Sequence, residues 1–204
     1  MHVPTKESSK IDILTFENAL KSQADRNNYD KSKWIYLPDF YCDYRYILGT
    51  VGSHPLITIG INPSTAKPES LDRTLQFVSR ISENNAFDSF VMFNVYAQRA
   101  TKPVDMDKEF NPKLHEENMI AFRWLLKQIN EPPVIWAAWG NIINERDYLK
   151  KCLSDMVNIG KEYNVVWKTT GKPTKQGNPH HPLYLSRNSV LRRFDIDDYL
   201  NKII

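Results

Sequence analysis

The chain has 204 residues, 41% hydrophobic and 25% charged, an ordinary balance for a globular protein and enough for one domain with a packed core, alone or with an N-terminal appendage. A net charge of +3 excludes a polycationic tail and leaves a mildly basic surface, which is compatible with nucleic acid without demanding it. Two cysteines are too few for a disulfide framework or a four-thiolate metal site, and no apolar run approaches the roughly 20 residues that span a bilayer, so the chain reads as a cytoplasmic or phage-encoded protein with reduced thiols.

Residues 1–10 are polar and expected to fray. Ile11–Gln23 carries helical apolar spacing at Ile11, Leu14, Ala19 and Leu20. "KWIYLPDFYCDYRYIL" is dense in aromatics and suits an extended pair of strands around Pro38. Residues 1–50 thus read as a helix and aromatic extension packed on a core domain of residues 51–204. "PLITIG" (Pro55–Gly60) is a strand ending at a breaker. "SLDRTLQFVSRI" follows as a helix that Ser70 can cap, with Leu75, Phe77, Val78 and Ile81 facing inward. "SFVMFNV" (Ser89–Val95) is a second strand. "NPKLHEENMIAFRWLLKQI" is a helix with Leu114, Met119, Phe122, Leu125, Leu126 and Ile129 on one side; His115 is expected on its solvated face. "PPVIWAAWG" is a third strand, "NIINERDYLKKCLSDMV" a helix and "YNVVWKTT" a fourth strand. Gly171–Arg187 is a turn-rich loop and Ser189–Leu200 a closing helix.

Strands alternate with helices, and the strands are continuously apolar. That pattern predicts an α/β fold, a three-layer αβα sandwich around a central, mainly parallel four-stranded sheet. Ligands of such sheets bind beyond the carboxyl ends of the strands, so the polar residues there are the candidates.

Four places qualify: "GINPST", "MFNVYAQRAT", "AAWGN" and "HPLYLSR". Taken singly, Gly-Ile-Asn-Pro is ordinary turn chemistry. Asn94 inside an apolar strand is either a satisfied structural amide or a ligand reader. His180 and His181 are adjacent and lack a third ligand at useful spacing, so no metal site is expected.

Taken in order, the four motifs resemble those of the uracil-DNA glycosylase superfamily. "GINPST" is similar to its water-positioning motif, closest to the Gly-Ile-Asn-Pro version of the branch acting on uracil and thymine mismatches. "VMFN" is similar to the strand of the uracil branch that ends in the base-reading Asn. "VIWAAWGN" resembles the strand ending Leu-Trp-Gly. "HPLYLSR" resembles the His-Pro-Ser-Pro-Leu-Ser loop, with Leu185, Ser186 and Arg187 four, five and six residues after His181. The wider pattern of GINPSTA, Asp72-Arg73-Thr74, "RAT", "EN", "WG" and "GNPHHPLYL" also resembles a family of bacterial and phage proteins of unknown function.

The glycosylase resemblance implies a uracil-DNA glycosylase-like fold and a monomeric DNA N-glycosylase that flips uracil or a 5-modified pyrimidine from DNA. It uses no metal and no cofactor. Asn62 would position the attacking water; His181 would donate, as neutral imidazole, to the pyrimidine O2 as charge develops there. Asn94 would read the base edge. Gly60, Ile61, Pro63 and Ser64 would line the pocket, with Phe77 or Tyr96 stacking beneath the base. Leu185 would be the wedge that fills the vacated stack. Thr65, Lys67, Arg99, Tyr184, Ser186 and Arg187 would meet DNA, and Asp72 and Glu117 would support the site; for Asp72 a first-turn helix acid is the favoured reading.

Three differences from relatives stand out. Ser64 occupies a place where the uracil branch has a Tyr that excludes the thymine methyl, leaving room at the pyrimidine 5-position. Tyr184 replaces a small residue and can plug the site, stack on DNA or pack. Asn62 in place of Asp removes a general base. A binding module without catalysis, and a hydrolase of free nucleosides or nucleotides, therefore stand beside the glycosylase reading.

Overall fold

The computed structural model describes residues 1–4, 10–22 and 29–204. The remaining part of the frayed-terminus expectation, residues 5–9, and Gln23 at the end of the first expected helix lie outside the described residues. What is described of that helix is short: α1 spans Phe16–Lys21, capped by the Thr15 side chain.

The fold is mixed α/β. Its sheet has seven strands: β1 (Trp34–Leu37), β2 (Ile47–Thr50), β3 (Pro55–Gly60), β4 (Ser89–Asn94), β5 (Val134–Ala137), β6 (Val166–Thr170) and β7 (Leu191–Arg193). They run in the order β1-β2-β4-β3-β5-β6-β7. The pairings β4-β3, β3-β5 and β5-β6 are parallel. The pairings β1-β2, β2-β4 and β6-β7 are antiparallel.

The four-stranded expectation is therefore corrected. The aromatic segment does form two strands, but β2 continues the same sheet by pairing with β4. At the other edge the stretch expected to begin the closing helix turns back as β7, and the last helix, α5, spans only Ile196–Ile203. Three residues are too few to show a strand's alternation, so β7 has no signature in the sequence.

Helices cover both faces. Strand side chains alternate, so Leu56, Phe90, Met92, Trp136 and Ala138 share a face with Leu75, Val78 and Ile81 of α2 (Arg73–Asn84). Ile57, Ile59, Val91, Phe93, Ile135 and Ala137 face the larger cluster, which includes residues of α1, α3 (Pro112–Lys127), α4 (Tyr148–Glu162) and α5.

Three local expectations change. Asp72, not Ser70, caps α2, its Oδ1 accepting from Leu75 N at 3.0 Å; Ser70 instead closes a backbone turn with Lys67. Phe77 is only half-buried. His115 is buried rather than solvated, with Nε2 2.9 Å from Asp155 on α4. No helix is long and apolar enough to cross a membrane among the described residues.

Candidate functional site

The four parallel strands end on one side, and the chain crosses from β4 over β3 to β5, a switch point where adjacent loops diverge and leave a crevice. A cavity of about 550 Å³ opens there, within the range of about 300–1,000 Å³ typical of small-molecule sites. It is lined by Arg45, Asn62, Ser64, Asp72, His181 and Tyr184, with Gly60, Ile61 and Met92 at the strand ends.

The turn after β3 is held on several sides. Asn62 Nδ2 donates to Ala100 O at 2.7 Å and to Pro63 O at 3.2 Å. Both amide hydrogens are thereby engaged, and Oδ1 is left as the acceptor for an incoming donor. Arg99 is fully buried and gathers the turn from below, donating from Nη1 to Ser64 O and from Nη2 to the Tyr36 hydroxyl. Its guanidinium lies 4.4 Å from the Tyr41 ring. Arg99, expected at DNA, is thus a brace for the turn and does not line the cavity.

His181 is positioned by a glycine and a polar chain. Gly140 has φ +61°, and a Cβ there would lie 3.1 Å from His181 Cβ. Glycine is required by both the left-handed backbone and the close approach. Trp139 Nε1 donates to the Tyr199 hydroxyl, which donates to Asn178 Oδ1, while Asn178 Nδ2 donates to Asn141 Oδ1. The "WGN" and "GNPHHP" motifs are therefore two halves of one scaffold. The His181 Nδ1 accepts from Leu183 N at 3.4 Å, which leaves the proton on Nε2. Burial lowers the His181 pKa to about 4, against the opposing charge of Asp72. At neutral pH the ring is a neutral Nε2–H donor.

The sign of this shift gives a stability expectation. Above the ordinary histidine value of 6.5 both folded and unfolded chains carry neutral His181. As pH falls from 6.5 toward 4 the unfolded chain takes up the proton first, so stability drops across that window. Melting temperature measured at pH 7.5 and 5 is expected to fall less in His181→Gln than in the wild type.

Asn94 is completely buried, and neither Nδ2 nor Oδ1 has a hydrogen-bond partner. Gly60 is its partner residue across the parallel pairing, and a Cβ on Gly60 would stand 3.2 Å from Asn94 Oδ1 and 2.4 Å from Met92 Cε. Met92 and Gly60 line the cavity while Asn94 does not, and a side chain on Gly60 would crowd both the flexible end of Met92 and the Asn94 amide. Asn118 Nδ2 donates to Asn94 O at 3.0 Å and fixes the strand end. Thr58 Oγ1 and Trp136 Nε1, on the same sheet face, are also buried without partners. Buried polar groups rarely lack partners, which sets these three apart from the apolar side chains around them, although none of the three lines the cavity itself.

Other candidates fall elsewhere. Tyr96 is fully buried among Phe110 and Tyr148, its hydroxyl accepting from Asn111 N. Neither Tyr96 nor Phe77 lines the cavity; the aromatic that does is Tyr184. Glu117 accepts from Phe16 N at 2.6 Å and anchors α1 instead of the site. Pro63 is buried in the turn and does not line the cavity, whereas buried Ile61 does. Thr65 is half-buried, and Lys67 and Ser186 are exposed away from the cavity lining. Arg187 is exposed, and its carbonyl accepts from Asn84 at the far end of α2 from Asp72, about 18 Å along the helix at 1.5 Å per residue.

The wedge is corrected too. Leu185 packs against the core cluster beneath α2, whereas Tyr184 is 80% exposed at the cavity mouth. A short turn at Pro182–Tyr184 reverses which side chain protrudes. Leu185→Ala is expected to lower thermal stability with little effect on ligand affinity at saturating folded protein. Tyr184→Ala, at an 80% exposed position, is expected to leave the melting temperature within a degree or so of the wild type.

Arg45 was missed. It sits before β2 in the aromatic segment, where nothing in its neighbours signals a pocket, yet its side chain lines the cavity floor while being 1% exposed. Asn178 was missed for the same reason: its partners lie 21 and 37 residues away.

No curated protein and no solved structure matches the chain. A family model does match, over residues 45–183, from Arg45 through the Gly60–Ala66 turn to the Pro182–Leu183 loop, and so covers the residues that line the cavity except Tyr184. The chain belongs to the family described as protein of unknown function (DUF1643).

Proposed function

We propose that the protein is a DNA N-glycosylase that takes a flipped uracil or 5-substituted pyrimidine into this cavity. The observation that carries the reading is Asn94: a buried amide with a free donor and a free acceptor, behind a glycine, at the switch point of the sheet. An amide of that kind matches the paired acceptor and donor of a uracil-like edge. The central β4-β3-β5-β6 sheet with helices on both faces supports the glycosylase-like fold implied by the motif resemblance.

In this reading Met92 swings aside and Asn94 binds the base edge. Water held by Asn62 Oδ1 adds to C1′ as the C1′–N1 bond breaks. The bonding pair leaves with the base, and the His181 Nε2–H donates to its O2 as the charge grows. The water's proton passes to solvent or to the departing base, since Asn62 cannot take it; the chemistry is correspondingly slow. Tyr184 at the mouth stacks in the space left by the flipped base, and half-buried Ser64 leaves room for a 5-substituent.

The test is base release. Single- and double-stranded oligonucleotides carrying uracil, a thymine mismatch, 5-hydroxymethyluracil or glucosylated hydroxymethylcytosine are incubated with the protein, and alkali reveals abasic sites. Release from a 5-substituted pyrimidine in DNA, with none from free nucleosides, is the expected result. No release from any DNA substrate overturns the reading; release from nucleosides alone makes the protein a nucleoside hydrolase.

A further inference from the structure

Arg45 is the group on the cavity wall that base recognition leaves unexplained. Its backbone N–H donates to Ala97 O, and its Nη1 donates to Ala66 O at 3.1 Å. Its Nε is buried without a partner, and no described residue accepts from Nη2. Arg99 lies against it, also fully buried, with its own Nε unpartnered. None of the ion pairs among the described residues includes either arginine. The carboxylate whose charge reaches Arg45 is Asp72, and it is already engaged in capping α2.

Two adjacent buried cations without an ion-paired carboxylate are unfavourable unless something anionic shares the site. Burial and the neighbouring Arg99 lower the Arg45 pKa only to about 9, so the guanidinium is charged at neutral pH. Around it the cavity presents further donors: the Ser64, Thr74 and Thr101 hydroxyls, the His181 ring and, at the mouth, Arg73. Guanidinium with hydroxyl donors in a partly enclosed cavity suits a phosphoryl group, with planar forked N–H groups facing its oxygens.

We propose that the cavity floor is a phosphate subsite built on Arg45, and that the ligand it takes carries a terminal phosphate monoester, as a nucleoside monophosphate or a strand end does. A terminal group fits a floor of this kind better than an internal diester, whose chain must leave in two directions. The inference rests on charge and burial at Arg45, not on base release, and stands or falls separately from the glycosylase reading.

The experiment is calorimetric titration of the full chain at pH 7.5 with inorganic phosphate, deoxyuridine, deoxyuridine 5′-monophosphate and a dinucleotide with one internal diester. The monophosphate is expected to bind about tenfold or more tighter than the nucleoside, and tighter than the dinucleotide, with phosphate competing. Arg45→Gln is expected to erase that preference. Asp72→Asn keeps the helix cap, because Asn caps as well as Asp, and removes the opposing charge. It is expected to tighten monophosphate binding about three- to tenfold. Equal binding of nucleoside and monophosphate, a preference that survives Arg45→Gln, or an Asp72→Asn protein with unchanged or weaker monophosphate affinity each overturns the proposal. If Arg45→Gln fails to fold, the wild-type comparison and Asp72→Asn still decide it. Binding of the dinucleotide at least as tight as the monophosphate assigns Arg45 to backbone diesters and overturns the terminal-phosphate assignment.

Discussion

His181→Ala is expected to slow base release by about 10²–10³-fold at saturating DNA, the cost of removing one preplaced donor from a developing anion. The ring is neutral at working pH because burial lowers its pKa to about 4, and its Nδ1 is occupied by Leu183 N. The one proton it can offer is therefore on Nε2, and alanine removes it. Folding should survive, because the scaffold that carries the loop runs through Asn178, Tyr199 and Trp139 and not through the imidazole. Circular dichroism and melting temperature of the variant check the fold; single-turnover kinetics check the rate. His181→Gln, which restores an N–H donor, should recover part of the loss. A variant that loses activity and stability together would give His181 a structural role instead.

Asn94→Leu is the second large effect, and it runs in two directions. A structural amide, with its hydrogen bonds made, would cost about 1–3 kcal/mol to replace. Asn94 makes none with its side chain, so an isosteric apolar residue is expected to leave stability unchanged or raise it. If the proposed base pocket is right, base binding is expected to disappear, because the donor and acceptor assigned to the base edge are gone. Denaturant midpoints and base-release rates on one preparation separate the two. Stability gained with function lost is the signature of a site maintained at the expense of the fold.

Much of this site was legible because strand ends in parallel sheets are where ligands bind, and the motifs lay there. Gly60, Asn62, Ser64 and His181 line the cavity as that logic required, and Asn94 lies directly behind Gly60. The turn-chemistry reading of Asn62 was also correct in part, since its Nδ2 closes the turn onto Ala100 O. What sequence could not supply were contacts across long separations. Arg45 and Arg99 meet the 64–66 carbonyls from 21 to 35 residues away. Asp72 was legible as a helix-start acid or a support for the site, but its charge acting on both Arg45 and His181 was not. Leu185 and Tyr184 were misassigned because their order along the chain does not say which one a tight turn buries. Tyr96 was misassigned because a tyrosine just after an apolar strand looks the same whether it stacks on ligand or caps a core against Phe110 and Tyr148.

The most direct measurement is on the Asn94 side chain itself. In uniformly ¹⁵N-labelled protein, its amide pair is followed while free uracil or 5-hydroxymethyluracil is titrated in, with Asn94→Leu giving the assignment. Saturable shifts of the Asn94 amide and the His181 Nε2 resonance at one common midpoint, with no binding to Asn94→Leu, are the result expected of a base pocket. Shifts confined to Tyr184 and the mouth, or binding undiminished in Asn94→Leu, would contradict it.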